Sequence, residues 1–185
     1  MIKSEGDIPT IISNEQLLTT RKFSVHTDKL RFNDGMEISR DIVSHPGAVA
    51  IIAEDEFGDW LMIKQYRHST GRILLEIPAG TKEAGEPADL TAARELREET
   101  GYSAKSLTRI GGAWMAPGWC TEYIDFFIAS QLEHSPLAQD FGERIGDPIR
   151  MKPAAIEELI LSGRMEDAKT ILAFTYYKMF VSSSQ

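Results

Sequence analysis

The sequence predicts an α+β fold in which a mixed β-sheet lies between helices. β-type runs come first, a single strong helical pattern sits between strands near residue 90, and two helical patterns close the chain. The N-terminal run from Leu17 to Ser44 reads as LLTTRKFSV, KLRF and MEISRDIVS. Its turn is Asn33-Asp34-Gly35, an Asp-Gly pair that favours a hairpin because both residues tolerate positive φ. Gly47–Glu54, GAVAIIAE, reads as a buried strand, and WLMIKQYR follows the Phe57-Gly58-Asp59 turn. Arg72–Ile77 supplies a short strand before Pro78.

The helix is expected from Pro87 to Thr100. Glu86, Pro87 and Asp89 suit a first turn, and Gly101 stands where a left-handed residue ends a helix. Leu107–Trp114 and Tyr123–Ser130 are two more β runs. Gln131 to Pro148 is polar, contains Pro and Gly and lacks periodicity, so a mobile loop is expected. Pro153–Leu161 reads as a helix with proline at its first position, ended by Gly163, and Asp167–Phe180 as the last helix. The expected division is residues 1–45, N-terminal strands that form a dimer, and residues 46–185, the main domain.

The chain has 185 residues, enough to bury a sizeable core. Its formal net charge is −8 with no run of lysine or arginine, which argues against sequence-independent nucleic-acid binding. An anionic substrate would therefore need something other than net charge to attract it, and a divalent cation is the obvious candidate. The lone cysteine, Cys120, excludes an internal disulfide and fits a reducing compartment. No signal-peptide core opens the sequence and no apolar run reaches the ~20 residues of a membrane span. A cytoplasmic protein without a membrane partner is the expectation.

The helical segment poses a problem. Glu95, Glu98 and Glu99 fall within an arc of about 100°, near the helix end that tolerates negative charge least. Like charges four residues apart cost about a few tenths of a kcal/mol. Arg94 stands four residues before Glu98 and offsets one carboxylate, which leaves Glu95 and Glu99 uncompensated. Leu90, Ala93 and Leu96, on the opposite side, read as the buried stripe. A solvated acidic face is the ordinary reading of such a pattern. Here, however, the helix is short and lies between strands, and the loop Pro78-Ala79-Gly80 to Gly85-Glu86 brings carbonyls and another carboxylate to its start. Oxygen donors without cysteine or histidine suit Mg²⁺ or Mn²⁺ rather than Zn²⁺. The four histidines, His26, His45, His68 and His134, lack ligand spacing.

Gly80, then Glu86, then Arg94-Glu95-Leu96-Arg97-Glu98-Glu99-Thr100-Gly101-Tyr102 resembles the complete signature box of the Nudix hydrolases, with Tyr102 where relatives more often carry an aliphatic residue. A match of this length is specific. The resemblance implies a Nudix-type α/β/α sandwich and Mg²⁺-dependent cleavage of a nucleoside diphosphate linked to another moiety. It implies Glu95 and Glu99 as principal metal ligands, Glu98 and Glu86 as secondary ligands or their supports, Arg94 as the residue that orients a glutamate, and the Ala79 carbonyl as a backbone ligand.

Downstream, Met115-Ala116-Pro117-Gly118-Trp119-Cys120-Thr121-Glu122 places a proline 16 positions after Gly101. This is similar to the branch acting on ADP-ribose and nucleoside diphosphate sugars, where a Gly and a Glu follow that proline; Ala116 departs from the usual serine. His45-Pro46-Gly47-Ala48-Val49, Gln65-Tyr66-Arg67, Glu76-Ile77-Pro78-Ala79-Gly80 and Asp167-Ala168-Lys169-Thr170 agree as well, so the resemblance covers roughly residues 40–180. Arg67 closes a strand and could clamp phosphate oxygens. Trp119 and Tyr123 flank the Pro-Gly turn, placed to stack on a base or to pack in a core. Gly118 and Glu122 belong to the same substrate-side segment.

In this branch the base that activates water often comes from a loop after the last sheet strands. Glu143 is the residue expected there, with Asp140 and Asp147 as alternatives. Relatives use the N-terminal strands to build a homodimer, in which Arg40 would reach substrate. The reading that follows is hydrolysis of ADP-ribose or a related nucleoside diphosphate sugar to a nucleoside monophosphate and a sugar phosphate. Two alternatives stand beside it: a nucleoside triphosphate pyrophosphohydrolase, and a catalytically silent ligand-binding domain of the same fold. Pro117 argues against the first, and the complete set of box carboxylates against the second.

Overall fold

A computed structural model describes residues 8–139 and 144–183. The chain forms two compact units, the N-terminal strands to Gly47 together with Trp114–Tyr123, and Ala48–Ala113 together with the chain from Ile124 onward.

In the first unit β1 (Thr10–Thr19), β2 (Ser24–Arg31) and β3 (Glu37–Ser44) form an antiparallel sheet in that order. The Asp-Gly turn is present: Gly35 has φ +87° and Asp34 Oδ1 accepts from the Met36 amide at 2.9 Å. The run LLTTRKFSV is not one strand. Thr20 breaks it, because its hydroxyl oxygen accepts from the Phe23 amide at 3.0 Å and its own amide donates to the Phe23 carbonyl at 2.9 Å. Residues 114–123 are tied to β3 by two backbone bonds, Val43 N–H to the Trp119 carbonyl at 2.8 Å and Thr121 N–H to the Val43 carbonyl at 2.9 Å.

The second unit holds the mixed sheet. Its four-stranded part has the order β7 (Ala79–Thr81), β4 (Ala48–Ala53), β9 (Tyr123–His134), β8 (Tyr102–Trp114). β4 pairs parallel with β9 and antiparallel with β7. A strand covered on both faces needs apolar residues at every position, and Ala48–Ala53 is buried throughout. A three-stranded part has the order β10 (Ile149–Met151), β5 (Trp60–Arg67), β6 (Arg72–Glu76).

Helices cover both faces. Leu61, Val49, Ile51, Ala53, Phe127 and Ala129 cluster with Ala92 and Leu96 of α1 (Ala88–Thr100). The neighbouring positions point the other way. Trp60 packs against Phe174 and Tyr177, and Phe126 against Tyr176, all from α3 (Ala168–Ser183). The alternation along β5 and β9 therefore builds the sandwich. Gly111 is required where it stands: a Cβ there would lie 2.5 Å from the Tyr176 ring, whose hydroxyl donates to the Gly112 carbonyl at 2.9 Å. α2 (Pro153–Leu161) starts at its proline, and Gly163 past its end has φ +70°.

Several elements differ from the sequence expectation, and β1 already begins at Thr10 rather than Leu17. β9 runs on to His134, β8 begins at Tyr102, and the three-residue strands β7 and β10 occur in stretches too short to show a period. The expected loop from Gln131 is thus strand for its first four residues, and β10 pairs with Trp60–Met62 just beyond its end.

Candidate active site

The N-terminal end of α1 lacks a side-chain cap, and its C-terminal end is closed by Gly101 at φ +78°, whose amide donates to the Arg97 carbonyl. Between these ends the helix turns a different face inward from the one a helical wheel suggests. Leu90 is 58% exposed and Ala93 is exposed too, whereas Thr91, Ala92, Glu95, Leu96, Glu99 and Thr100 are buried. Glu95 is only 7% exposed and Glu99 only 2%. The expected Leu90/Ala93/Leu96 stripe is therefore corrected to one built on Ala92 and Leu96, with the carboxylates at its edge. Burial of Glu95 and Glu99 is possible because each is hydrogen-bonded.

Their partners also correct the charge accounting. The Arg94 guanidinium reaches Glu86 through Nε at 3.1 Å and Nη2 at 3.0 Å, and its Nη1 donates to Glu95 at 2.7 Å and Glu98 at 3.0 Å. Glu95 is compensated after all, because the long arginine side chain bends back to a neighbour that ideal helix geometry places on another face. Glu99 accepts the Ala79 amide at 2.7 Å. Hydrogen bonds from Arg94 pull the Glu86 carboxyl down to about 2, and the same bonds raise the Arg94 guanidinium. Gly80 completes the arrangement. A Cβ at this position would lie 1.8 Å from Glu95 Cδ, so only glycine lets the carboxylate rest against the β7 backbone.

Ala79, Glu86, Arg94, Glu95, Glu98 and Glu99 are thus brought together in one place. Among the described residues no three His, Cys, Asp or Glu side chains stand at ligand spacing from one another, and Arg94 contacts Glu86, Glu95 and Glu98. The donor set is nonetheless all oxygen, with two buried carboxylates and a glycine cradle beside one of them. That chemistry fits a hard divalent cation.

Arg67, at the end of β5, forms a bidentate pair with Glu76 of β6, Nε to Oε1 at 2.8 Å and Nη2 to Oε2 at 2.6 Å. Glu76 is fully buried and also receives the Lys169 ammonium. Lys169 in turn contacts Asp167 at 2.8 Å. The other Asp167 oxygen accepts from the Thr170 amide at 3.0 Å and hydroxyl at 2.5 Å, and that hydroxyl accepts the Ile77 amide at 3.0 Å. Burial alone would raise the Glu76 carboxyl; the Arg67 hydrogen bonds and the Lys169 charge outweigh it and hold it below the ordinary range. Sequence reasoning marked the motifs containing Glu76, Asp167 and Lys169 but gave those residues no role. Their mutual contact is long-range, and no local pattern reveals it.

Gln65, quoted in the Gln65-Tyr66-Arg67 motif, was likewise given no role. Leu61 faces α1, and period-two alternation along β5 puts Ile63, Gln65 and Arg67 on the same face. Gln65 is buried, and its Oε1 has no hydrogen-bond partner among the described residues.

Arg40, Gly118, Trp119, Glu122 and Tyr123 lie in the first unit. Arg40 sits on β3, with Nη1 donating to the Ser39 carbonyl at 3.0 Å. Trp119 is exposed in a turn where its amide donates to the Ala116 carbonyl at 3.1 Å, and Gly118 has open space where a Cβ would be. Glu122 lies 3.9 Å from His45 Nδ1, and Tyr123 packs edge-on against Trp114 at 5.1 Å. Asp147 is exposed, whereas Glu143 and Asp140 lie outside the described residues.

Comparison with known proteins agrees with this geometry. Residues 44–174 match the NUDIX domain. The chain is 34% identical over 171 residues to an ADP-ribose pyrophosphatase of Bacillus subtilis, covering 91% of each. It is 44% identical over 130 residues to an ADP-ribose pyrophosphatase of Mycobacterium tuberculosis, covering 70% of this chain and 62% of that one. A crystal structure of an ADP compounds hydrolase shares the fold with a TM-score of 0.85 at 23% identity, over 98% of both chains. With the box assembled around Arg94 and the match spanning most of its length, the chain belongs to the Nudix family of hydrolases.

Proposed function

We propose that this protein is a Mg²⁺-dependent pyrophosphatase of nucleoside diphosphate sugars, ADP-ribose first among them, releasing a nucleoside monophosphate and a sugar phosphate. The observation that carries the reading is the gathering of Glu86, Glu95, Glu98 and Glu99 around Arg94, Ala79 and Gly80 in one small region. The names of the two similar pyrophosphatases support ADP-ribose as the first substrate to try.

Glu95, Glu99 and the Ala79 carbonyl would hold the metal, with Glu86 and Glu98 beside them. The ion would neutralise charge on the diphosphate and acidify a water. The chain's own residues do the positioning. Gly80 and Arg94 fix the Glu95 carboxylate, and the Ala79 amide fixes Glu99. Arg67 would supply a guanidinium fork for phosphate oxygens, and Trp119, Gly118 and Glu122 are the residues proposed to contact the nucleoside. Glu143 is the proposed proton acceptor, with Asp147 or Asp140 in its place if it fails. Mn²⁺ would substitute for Mg²⁺, since both take hard oxygen donors.

The three-stranded N-terminal sheet exposes Ile11, Leu17, Leu18 and Phe23, a surface suited to a second copy, and Arg40 on β3 would then reach substrate. Among the described residues no helix is long and apolar enough to cross a membrane, in keeping with a cytoplasmic enzyme. The acidic net charge is in keeping with a small-molecule substrate rather than nucleic acid.

The test is turnover. Purified protein is incubated with Mg²⁺ and ADP-ribose, GDP-mannose, UDP-glucose or deoxynucleoside triphosphates, and products are identified by mass. Hydrolysis of triphosphates alone would sink the reading. Glu99→Gln should cut kcat/KM by at least about 100-fold while the protein stays folded, because a ligand and the Ala79 contact weaken together.

A further inference from the structure

Four charged residues, Arg67, Glu76, Asp167 and Lys169, form a cluster in which two cations face two carboxylates. Such clusters are poor devices for stability, since well-packed apolar residues of similar volume often do as well. The arrangement here is also asymmetric. Asp167 is satisfied by the Thr170 amide and hydroxyl besides Lys169. Glu76 meets two cations, Arg67 and the Lys169 that it shares with Asp167, and it is the deepest of the four. Of the two, Lys169 is buried, while the Arg67 side chain is 36% exposed. Arg67 also lies on the α1 face of β5, the side on which Glu95 and Glu99 are found.

A guanidinium held in a bidentate pair cannot also clamp a phosphate with the same donors. Its departure from Glu76 would strand a buried carboxylate unless a second cation stays behind. We propose that Lys169 is that cation, a positioning residue that acts through Glu76: it remains on the carboxylate and so lets Arg67 move to an oxygen of the substrate's diphosphate. The inference rests on the reading of Arg67 as a diphosphate contact in a nucleoside diphosphate sugar hydrolase. It adds a role for the last helix, whose first turn carries Lys169 and Thr170 and anchors the strand leading to Ala79.

Steady-state kinetics with ADP-ribose and Mg²⁺, alongside thermal melts, test it. In Lys169→Met, Glu76 has only Arg67 left, so Arg67 is held back. KM should rise at least about 10-fold while kcat changes by less than about threefold, the pattern of lost substrate binding. Lys169→Arg should keep KM near wild type. The decisive variant is Lys169→Met with Glu76→Gln, which removes one charge of each sign. It should return KM to within about threefold of wild type, a recovery that a mere staple would not show, since two lost contacts then only add.

An unchanged KM in folded Lys169→Met overturns the proposal, and so does a double variant whose KM stays raised. Where the single variant does not fold, the double variant alone decides. These failures are distinct from failure of the functional reading, which would appear as absence of nucleoside diphosphate sugar turnover by the wild-type protein, or as an Arg67→Ala variant with normal KM, and would overturn both.

Discussion

Two arginine clusters stand on the same unit of this molecule, and their charges balance differently. Around Arg94, three carboxylates share one guanidinium, and a fourth, Glu99, accepts the Ala79 amide. Around Glu76, two cations meet two carboxylates and the account closes. On the function proposed above, the first arrangement is an anionic site that a divalent cation would complete. The second pairs its charges internally, although Arg67 also feels the Glu99 carboxylate of the first. On that reading the cluster in surplus serves a ligand, and the balanced one holds geometry and releases one member at a time.

Breaking the balanced cluster should cost the most stability. Glu76→Ala leaves Arg67 without its partner and Lys169 with only Asp167, at a depth where unpaired charge is expensive. A loss of about 3–5 kcal/mol is expected from urea denaturation. Replacing Glu76 and Lys169 together by methionine should cost clearly less, because no charge is then left over on that side. An equal cost for both would mean that the pair is valued for shape rather than for charge.

The surplus cluster should respond in activity rather than in stability. In Gly80→Ala the new methyl meets the end of a flexible Glu95 side chain rather than backbone, so the carboxylate swings away and the fold survives. A displacement of about an ångström at the reacting centre costs about 100-fold in rate, which kcat/KM with ADP-ribose would reveal. A normal rate in this variant would show that Glu95 need not rest where the glycine allows it.

Acid reaches both clusters, since the Glu86 and Glu76 carboxyls are both held below their ordinary value. The Glu76 carboxyl lies below its ordinary value of 4.5 in the folded protein, so it binds fewer protons than the unfolded chain as pH falls. Its contribution is complete above about pH 4.5 and is lost as pH drops through the lower folded value. Denaturation midpoints measured across pH 2 to pH 6 should show that fall, and Glu76→Gln should flatten it. A slope unchanged in Glu76→Gln would assign the acid sensitivity elsewhere.

Much of this was legible in the sequence, for reasons that can be named. The box residues are close in sequence and bound to one helix and its preceding loop, so spacing alone gathers them. β4 announces itself by an unbroken apolar run, and Gly101 by its place after a helix. What escaped was non-local or short. The Glu76–Lys169 contact joins residues 93 positions apart, and β7 and β10 span three residues each. The Thr20–Phe23 turn hides in a β-rich run because one hydroxyl and one backbone bond suffice to make it. The inward face of α1 was misjudged for a more instructive reason. A hydrophobicity wheel assumes that carboxylates face water, and at this site they do not.

That misjudgement supplies the smallest and cleanest test. Leu90 projects from the first turn of α1 and is 58% exposed, while Leu96, on the inward face, is fully buried with Ala92, Val49 and Ile51. Leu90→Ser should therefore change stability by less than about 0.5 kcal/mol and leave turnover of ADP-ribose untouched. Leu96→Ala should cost about 2–5 kcal/mol. If Leu90→Ser proved as costly as Leu96→Ala, α1 would be rotated and Glu95 and Glu99 would face solvent. Gly80 would then have no carboxylate to accommodate, and the contrast between a surplus cluster and a balanced one would lose its structural basis.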